Sequence, residues 1–303
     1  MSNKVVVLGS LNVDTILQVG RFPEPGETLA LKDKQMAGGG KGANQAIAAA
    51  RSGAETSFIG KVGTDANGQF MLKQLLDSGA STEYVATSKV ADTGQAFVML
   101  ENTGENRILI YGGSNAELNE DDVNKAAEKI QQADFIVAQL ETPLETTKYA
   151  FEIAKQAGIK TILNPAPAVK NLPKELIQLT DVITPNETEA EILTGVTVVD
   201  DASMKEAAQR LHKMGVQTVI ITLGSKGVYY DDGDVSGIVP AFKVHAIDTT
   251  AAGDTFLGSF SSELKPDLSN LKEAIMYGNK ASSLAVQKMG AQPSIPTRKE
   301  VLK

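Results

Sequence analysis

Asp248-Thr249-Thr250-Ala251-Ala252-Gly253-Asp254-Thr255-Phe256 is the stretch on which the reading of this chain turns. Before it, Phe242-Lys243-Val244-His245-Ala246-Ile247 alternates apolar and polar residues, which predicts a strand. After it, Phe256-Leu257-Gly258-Ser259-Phe260 opens a helical pattern. Small residues therefore fall where a strand turns into a helix. A helix N-terminus leaves backbone N–H groups unpaired and carries partial positive charge. Ala251, Ala252 and Gly253 have almost no side chain, so an anion can come close to those N–H groups. Asp254 then sets a carboxylate beside a site built for anions, a placement that fits proton abstraction next to a phosphoryl group. The plainer reading is a helix cap, which Asp and Thr commonly provide. Two Asp bracketing one small-residue loop favour the chemical reading.

The 303 residues can bury a large core as one domain, or one domain with an appendage. Hydrophobic content of 42% and charged content of 22% are ordinary for a globular protein. A net charge of −8 argues against nucleic acid or an anionic membrane as the main partner. It leaves phosphate ligands open, because backbone N–H groups bind anions without basic side chains. There is no Cys, hence no disulfide framework and no thiolate chemistry. His212 and His245 stand far apart and read as ordinary helix and strand residues, not zinc ligands. The apolar run at the N-terminus is too short for a signal peptide and no stretch has the length of a membrane span, so the cytoplasm is the expected location.

Val5 to Gly9 is a β-branched run ending in Gly and reads as a buried strand. Weaker alternation predicts strands near 11–18 and 28–36, with a loop at Phe22–Glu27. Gly38-Gly39-Gly40-Lys41-Gly42 opens an Ala-rich helix over 43–52. Strands are then expected at 56–60, 134–139, 161–164, 182–184, 218–223, 228–230 and 235–239. Helices are expected at 67–78, 121–131, 145–156, 188–193, 203–214, 255–264 and 271–289, with Pro293 and Pro296 ending the regular pattern. Such alternation implies a parallel sheet covered by helices on both faces. Residues 95–100 and 107–111 flank a polar connection, Glu101–Asn106, and read as a hairpin. With the strands near 11–36 it forms a separate small β layer.

Two further clusters carry chemistry. Gly38–Asn44 fits a dinucleotide glycine pattern only loosely, with no strand immediately before it, and alone reads as a flexible loop and cap. With Asn12, Asp14, Lys41 and Asn44, however, it offers donors and acceptors for several hydroxyls, as a sugar demands. Asn186-Glu187-Thr188-Glu189 follows an apolar strand and alone reads as a helix start with acidic residues in its first turn.

Together these stretches resemble the ribokinase, or PfkB, family of sugar kinases. The resemblance runs from Val5 to about Ser294 and rests on Gly39-Gly40-x-x-x-Asn44, Asn164-Pro165-Ala166-Pro167-Ala168, Asn186-x-x-Glu189 and Ala251–Asp254 in their order. It implies an α/β fold, a doubly wound, mostly parallel sheet with a small β-sheet lid at about 11–36 and 94–111, in one domain over 1–303. It implies transfer of phosphate from ATP to the 5-hydroxyl of D-ribose, with Asp254 as base and the Ala251, Ala252 and Gly253 N–H groups on the transferring group. Asn12, Asp14, Gly39, Gly40, Lys41, Gly42, Asn44 and Glu141 would hold the sugar. Asn186 and Glu189 would order water around Mg²⁺. Thr222, Leu223, Gly224, Ser225, Lys226, Gly227, Gly253 and Asn279 would line the nucleotide. Asp248, Thr250, Ala285, Lys288, Gly290 and Ser294 match positions that hold K⁺. A homodimer through the lids is expected as well. Other readings face obstacles. A nicotinamide oxidoreductase needs a Gly-rich turn after its first strand, which Gly9-Ser10-Leu11-Asn12 lacks. A nucleoside kinase needs aromatic surface, and the lid offers mainly Phe97. A phosphosugar kinase needs basic residues, of which Lys32, Lys34 and Arg107 are the nearest. A sugar sensor would keep the pocket and lose the base, whereas Asp254 is present.

Overall fold

The computed structural model describes residues 2–101, 103 and 105–303; Met1, Asn102 and Gly104, the last two in the expected hairpin connection, lie outside the described residues. In chain order the elements are β1 (Lys4–Leu8), β2 (Asn12–Val19), β3 (Asp33–Gly39), α1 (Lys41–Arg51), β4 (Glu55–Val62), α2 (Ala66–Asp77), β5 (Ser81–Thr87), β6 (Gly94–Glu101) and β7 (Asn106–Tyr111). There follow α3 (Glu120–Lys125), α4 (Ala127–Gln131), β8 (Phe135–Ala138), α5 (Leu144–Gln156), β9 (Lys160–Leu163), α6 (Lys174–Gln178), β10 (Val182–Ile183) and α7 (Glu187–Thr194). The last are α8 (Asp201–Met214), β11 (Thr218–Thr222), β12 (Val228–Asp231), β13 (Ser236–Val239), α9 (Ala252–Glu263), α10 (Leu271–Ala285) and α11 (Arg298–Val301).

Nine strands form one sheet in the order β13-β12-β11-β10-β9-β8-β1-β4-β5. Pairing is parallel from β5 to β11 and antiparallel only at β12 and β13. A strand buried on both faces can be apolar throughout, and β1 shows the two-residue period inside such a run. Val5 and Val7 join a core with Ile47, Phe58, Met71, Phe256 and Phe260 on one face. Val6 and Leu8 join Ile59, Ile130, Phe151 and Leu211 on the other. The chain winds outward from β1 in both directions, so β1 and β8 flank a switch point, and ligands bind beyond the carboxyl ends of strands there. Every strand from β8 to β11 delivers a polar residue to that edge.

The second sheet has the order β3-β2-β6-β7. It rises from the same edge, because β2 begins four residues after β1 ends. β3, at Asp33–Gly39, is displaced from the expected 28–36. β2 pairs antiparallel with β3 from Asn12↔Gly39 to Gln18↔Asp33, which draws Gly38 and Gly39 into the strand. Those glycines are there for space: a Cβ on Gly39 would fall 2.3 Å from an Asp14 carboxylate oxygen. Composition alone reads such glycines as loop.

Other expectations are corrected. Residues 242–247 form no strand; the segment is exposed, and Ile247 and Asp248 donate their N–H groups to the Val286 carbonyl instead. Alternation there has no sheet edge to join. The expected helix over 121–131 divides at Ala126, whose φ of −101° breaks the run. The final long helix stops at Ala285, four residues before Met289. Pro296 does not end regular structure, since Thr297 and Glu300 cap α11 reciprocally. The short β5 and α6 carried no clear periodic signal.

Candidate active site

The loop before α9 has the shape its small residues permit. Ala251 takes the left-handed conformation, φ 57°, as the N-cap of α9. The Ala252 N–H turns back to the Thr249 carbonyl at 3.1 Å. Among the described residues no protein acceptor stands opposite the N–H groups of Ala251, Gly253 or Asp254. They face a cavity of about 220 Å³ whose walls include Lys41, Asn164, Asn186, Glu189 and Asp254. So the first turn of α9 presents free donors to a partly open cleft, with a carboxylate among them.

Asp254 is 7% exposed and is gripped from α1. Its Oδ2 accepts from Asn44 Nδ2 at 3.0 Å and its Oδ1 from Gln45 Nε2 at 2.9 Å. Asn44 Oδ1 is buried with no partner among the described residues. A buried acceptor of that kind is costly unless a ligand completes it. Gly40 makes this start of α1 possible: its φ is 86°, and a Cβ there would meet the Asn12 amide nitrogen at 2.8 Å. Gly42 packs against the backbone of Gly9 and Ser10, so it supports the pocket from behind. Glu141, just past β8, accepts from Ser10 Oγ at 2.5 Å and from the Lys41 N–H at 3.0 Å. Asn12 Oδ1 accepts from Asn115 Nδ2 at 2.8 Å.

Three carboxylates thus crowd one ammonium. Burial, then the nearby Glu141 and Asp254 charges, push the Asp14 carboxyl up to about 7. Burial opposes charge on Lys41, but Asp254, Glu141 and Glu189 outweigh it and hold its ammonium above the usual lysine range. Burial likewise raises Glu189, against a backbone hydrogen bond from Asn186 and the Lys41 charge. The pocket is poised for hydroxyl donors at Asp14 and for an anion at Lys41.

Asn186 and Glu189 form a reciprocal capping box on α7, at 2.8 and 2.9 Å, and both line the cavity. A second cavity of about 410 Å³ adjoins it, walled by Asn186, Thr222, Gly224, Gly227, Gly253 and Asn279. Asn279 braces that wall by donating to the Val239 and Pro240 carbonyls, both at 3.2 Å. Leu223, Ser225 and Lys226 line neither cavity. Leu223 turns into the core, Ser225 is exposed, and Lys226 pairs with Glu187 at 3.3 Å.

Asp248 ties two loops together. Its Oδ1 accepts from the Thr250 N–H and hydroxyl at 2.9 and 2.6 Å, and its Oδ2 from the Gly290 N–H at 2.8 Å. Burial would raise this carboxyl, but those bonds prevail and hold it low. Ala285 accepts from the Lys288 N–H at 3.0 Å in the turn after α10, while Lys288 Nζ reaches Glu300 at 3.3 Å. The Ser294 hydroxyl donates to the Ala291 carbonyl at 2.7 Å.

Sequence reasoning missed Gln45, Gln139, Ser10, Thr184 and Asn115. Gln45 is adjacent to Asn44, and that adjacency was the available signal. Asn115 lies in the turn after β7 and clips the Leu11 N–H and carbonyl at 2.9 and 3.1 Å; nothing in its neighbourhood of sequence marks it.

A family model described as pfkB family carbohydrate kinase matches residues 2–298. The chain belongs to that family. The matched span of this pfkB carbohydrate kinase holds both sheets and every candidate residue from Asn12 to Ser294. A ribokinase of Staphylococcus aureus (strain COL) is 52% identical, covering 99% of each chain. A ribokinase of Haemophilus influenzae is 47% identical over 100% of this chain and 98% of its own. The structure of an Arabidopsis thaliana ribokinase complexed with ribose and ATP matches with a TM-score of 0.93 at 35% identity, covering 100% of this chain and 98% of that one.

Proposed function

We propose that the chain is a ribokinase, moving the γ-phosphoryl group of ATP to the 5-hydroxyl of D-ribose to give ribose 5-phosphate and ADP. The observation that carries this reading is Asp254: buried, in the first turn of α9, between free backbone donors and a ring of hydroxyl-binding groups. The relatives support it, since two ribokinases stand at 52% and 47% identity across nearly the whole chain. Asn12, Asp14, Lys41, Asn44 and Glu141 hold the sugar, with Gly39, Gly40 and Gly42 allowing the close approach. Asp254 takes the 5-hydroxyl proton as that oxygen attacks the γ-phosphorus. The bond from γ-phosphorus to the bridging oxygen breaks, and ADP leaves with the electron pair. The free N–H groups of the loop and the Lys41 ammonium stabilise charge on the phosphoryl oxygens. ATP lies across the second cavity, with Thr222, Gly224, Gly227 and Asn279 along it. With ATP and the sugars supplied separately, ADP release should give D-ribose a larger specificity constant than 2-deoxyribose, fructose, fructose 6-phosphate or adenosine. A higher value for any competitor would reassign the substrate and leave the kinase reading intact.

Two cations belong to this reading. Among the described residues no cluster of three or more His, Asp or Glu could hold a metal. Mg²⁺ keeps several waters and binds mainly through phosphates. Asn186 and Glu189 would hold its water shell, and the ion would neutralise phosphate charge when bound. K⁺ would sit between the 248–250 loop and the 285–294 turns, where Asp248 already joins Thr250 to Gly290. It would hold the anion loop in shape. Activity should therefore rise more with K⁺ than with Na⁺; equal rates across concentrations would contradict the site.

The chain is proposed to act as one domain with its small sheet as lid, in the cytoplasm, as a homodimer joined through the lids. Among the described residues no helix is long and apolar enough to cross a membrane. On the edge strand β7, Ile108 is 53%, Leu109 63%, Ile110 64% and Tyr111 45% exposed. An edge strand apolar on both faces invites pairing, and a two-fold axis would bury both copies. Light scattering at micromolar concentration should give twice the chain mass. Charged substitutions at Val98 and Leu109 should return it to one chain mass; a dimer that survives both would place the interface elsewhere.

A further inference from the structure

Asp254 is held by a chain of buried amides that the mechanism above does not use. Gln45, one residue beyond Asn44 on α1, is 0% exposed, and Gln139, just past β8, is 1% exposed. Gln45 Nε2 donates to Asp254 Oδ1 at 2.9 Å and to Asn164 Oδ1 at 3.2 Å. Gln45 Oε1 accepts from Gln139 Nε2 at 2.6 Å. Asn164 is oriented in turn by donating its Nδ2 to the Thr184 carbonyl at 3.0 Å. Gln139 Oε1 has no partner among the described residues, and it fills the place of a side chain on Gly9, where a Cβ would come within 2.1 Å of it.

The direction of this chain follows from its end. An ionised carboxylate only accepts, so Gln45 must turn its NH₂ toward Asp254. Its carbonyl then faces Gln139, which must turn its own NH₂ inward. The unmatched acceptor is thereby moved to the far end, against Gly9. Reversing either amide would set a carbonyl against the carboxylate or against another carbonyl. Apolar side chains at both positions would remove the unmatched Gln139 oxygen but would leave Asp254 Oδ1 and Asn164 Oδ1 without this donor, so the amides have a task.

We propose that Gln45, oriented by Gln139, is a positioning residue for phosphoryl transfer, fixing the plane of the Asp254 carboxylate so that a lone pair stays aimed at the sugar hydroxyl. This rests on the reading of Asp254 as the base. With no exposed surface, Gln45 makes no contact with the sugar, so its loss acts on turnover and not on binding. Misaimed reacting groups are expensive in rate.

The test compares Gln45→Leu, Gln139→Leu, the double variant and Asp254→Asn. Ribose binding is followed by calorimetry, turnover with ATP by ADP release, and folding by thermal unfolding. Gln45→Leu should lower kcat roughly 10–100-fold while ribose Kd stays near that of the parent chain. Gln139→Leu should lower kcat less, and the double variant should be no worse than Gln45→Leu alone, because one acts through the other. Unchanged kcat in Gln45→Leu, parallel losses of kcat and ribose affinity, or additive losses would overturn the proposal. If Gln45→Leu does not fold, Gln139→Leu decides: reduced kcat with ribose binding held supports it, and unchanged kcat overturns it. Turnover retained in Asp254→Asn would instead mean that the base assignment fails; an inactive Asp254→Asn beside a fully active Gln45→Leu would remove the amide chain alone.

Discussion

Asp254→Asn should reduce ribose-dependent ADP release by a factor on the order of 10²–10⁴ while ribose binding persists. The substitution keeps the shape of the side chain and removes its basicity. It also disturbs the grip from α1. Asn44 Nδ2 and Gln45 Nε2 both donate to this carboxylate, one to each oxygen. An amide at 254 can satisfy only one of them with its oxygen and opposes the other with its NH₂. One neighbouring amide must then turn over. Thermal unfolding and ribose calorimetry, run beside the rate, separate that rearrangement from the chemical loss. Near-normal turnover with the fold intact would remove Asp254 from the mechanism.

Gly258→Ala should have the largest effect on stability. Gly258 lies on α9 one helical turn past Asp254, where α9 crosses α1. A Cβ at this position would come 2.3 Å from the Gln45 carbonyl oxygen, 2.6 Å from the Ala48 Cβ and 2.9 Å from the Ala49 nitrogen. The first and last of these are backbone atoms of a helix and cannot rotate aside. The helices must separate, at a cost of about 1–3 kcal/mol for an overpacked core. Separation also draws Asn44 and Gln45 away from Asp254, so kcat should fall with stability. Urea unfolding and ADP release measure the two effects; a variant as stable and active as the parent chain would mean that the crossing yields more easily than its contacts imply.

Much of this arrangement was legible because its signals are local. The apolar run from Val5 to Leu8 marks a buried strand, and the small residues at 251–253 mark the start of a helix, each within a few residues. What stayed hidden depends on partners distant in sequence. Gly38 and Gly39 read as loop by composition, yet they end a strand because Gln292 and Asp14 occupy the space of their missing side chains. Residues 242–247 alternate like a strand, but the sheet has already ended at β13, and the segment fastens to Val286 instead. Leu223 sits in a stretch that the resemblance sets against the nucleotide, but its side chain, one residue past β11, is in the core. Asn115 and Gln139 act through hydrogen bonds to residues about a hundred positions away, which no window of sequence contains.

A ribokinase transfers phosphate to one oxygen of one sugar. Phosphorus NMR of a mixture of the protein, ATP, Mg²⁺, K⁺ and D-ribose follows that transfer atom by atom. The γ-phosphate signal should be replaced by a phosphomonoester split by the two protons on C5, in equal amount to ADP. Inorganic phosphate as the sole new product, or an ester on any other ribose oxygen, would contradict it.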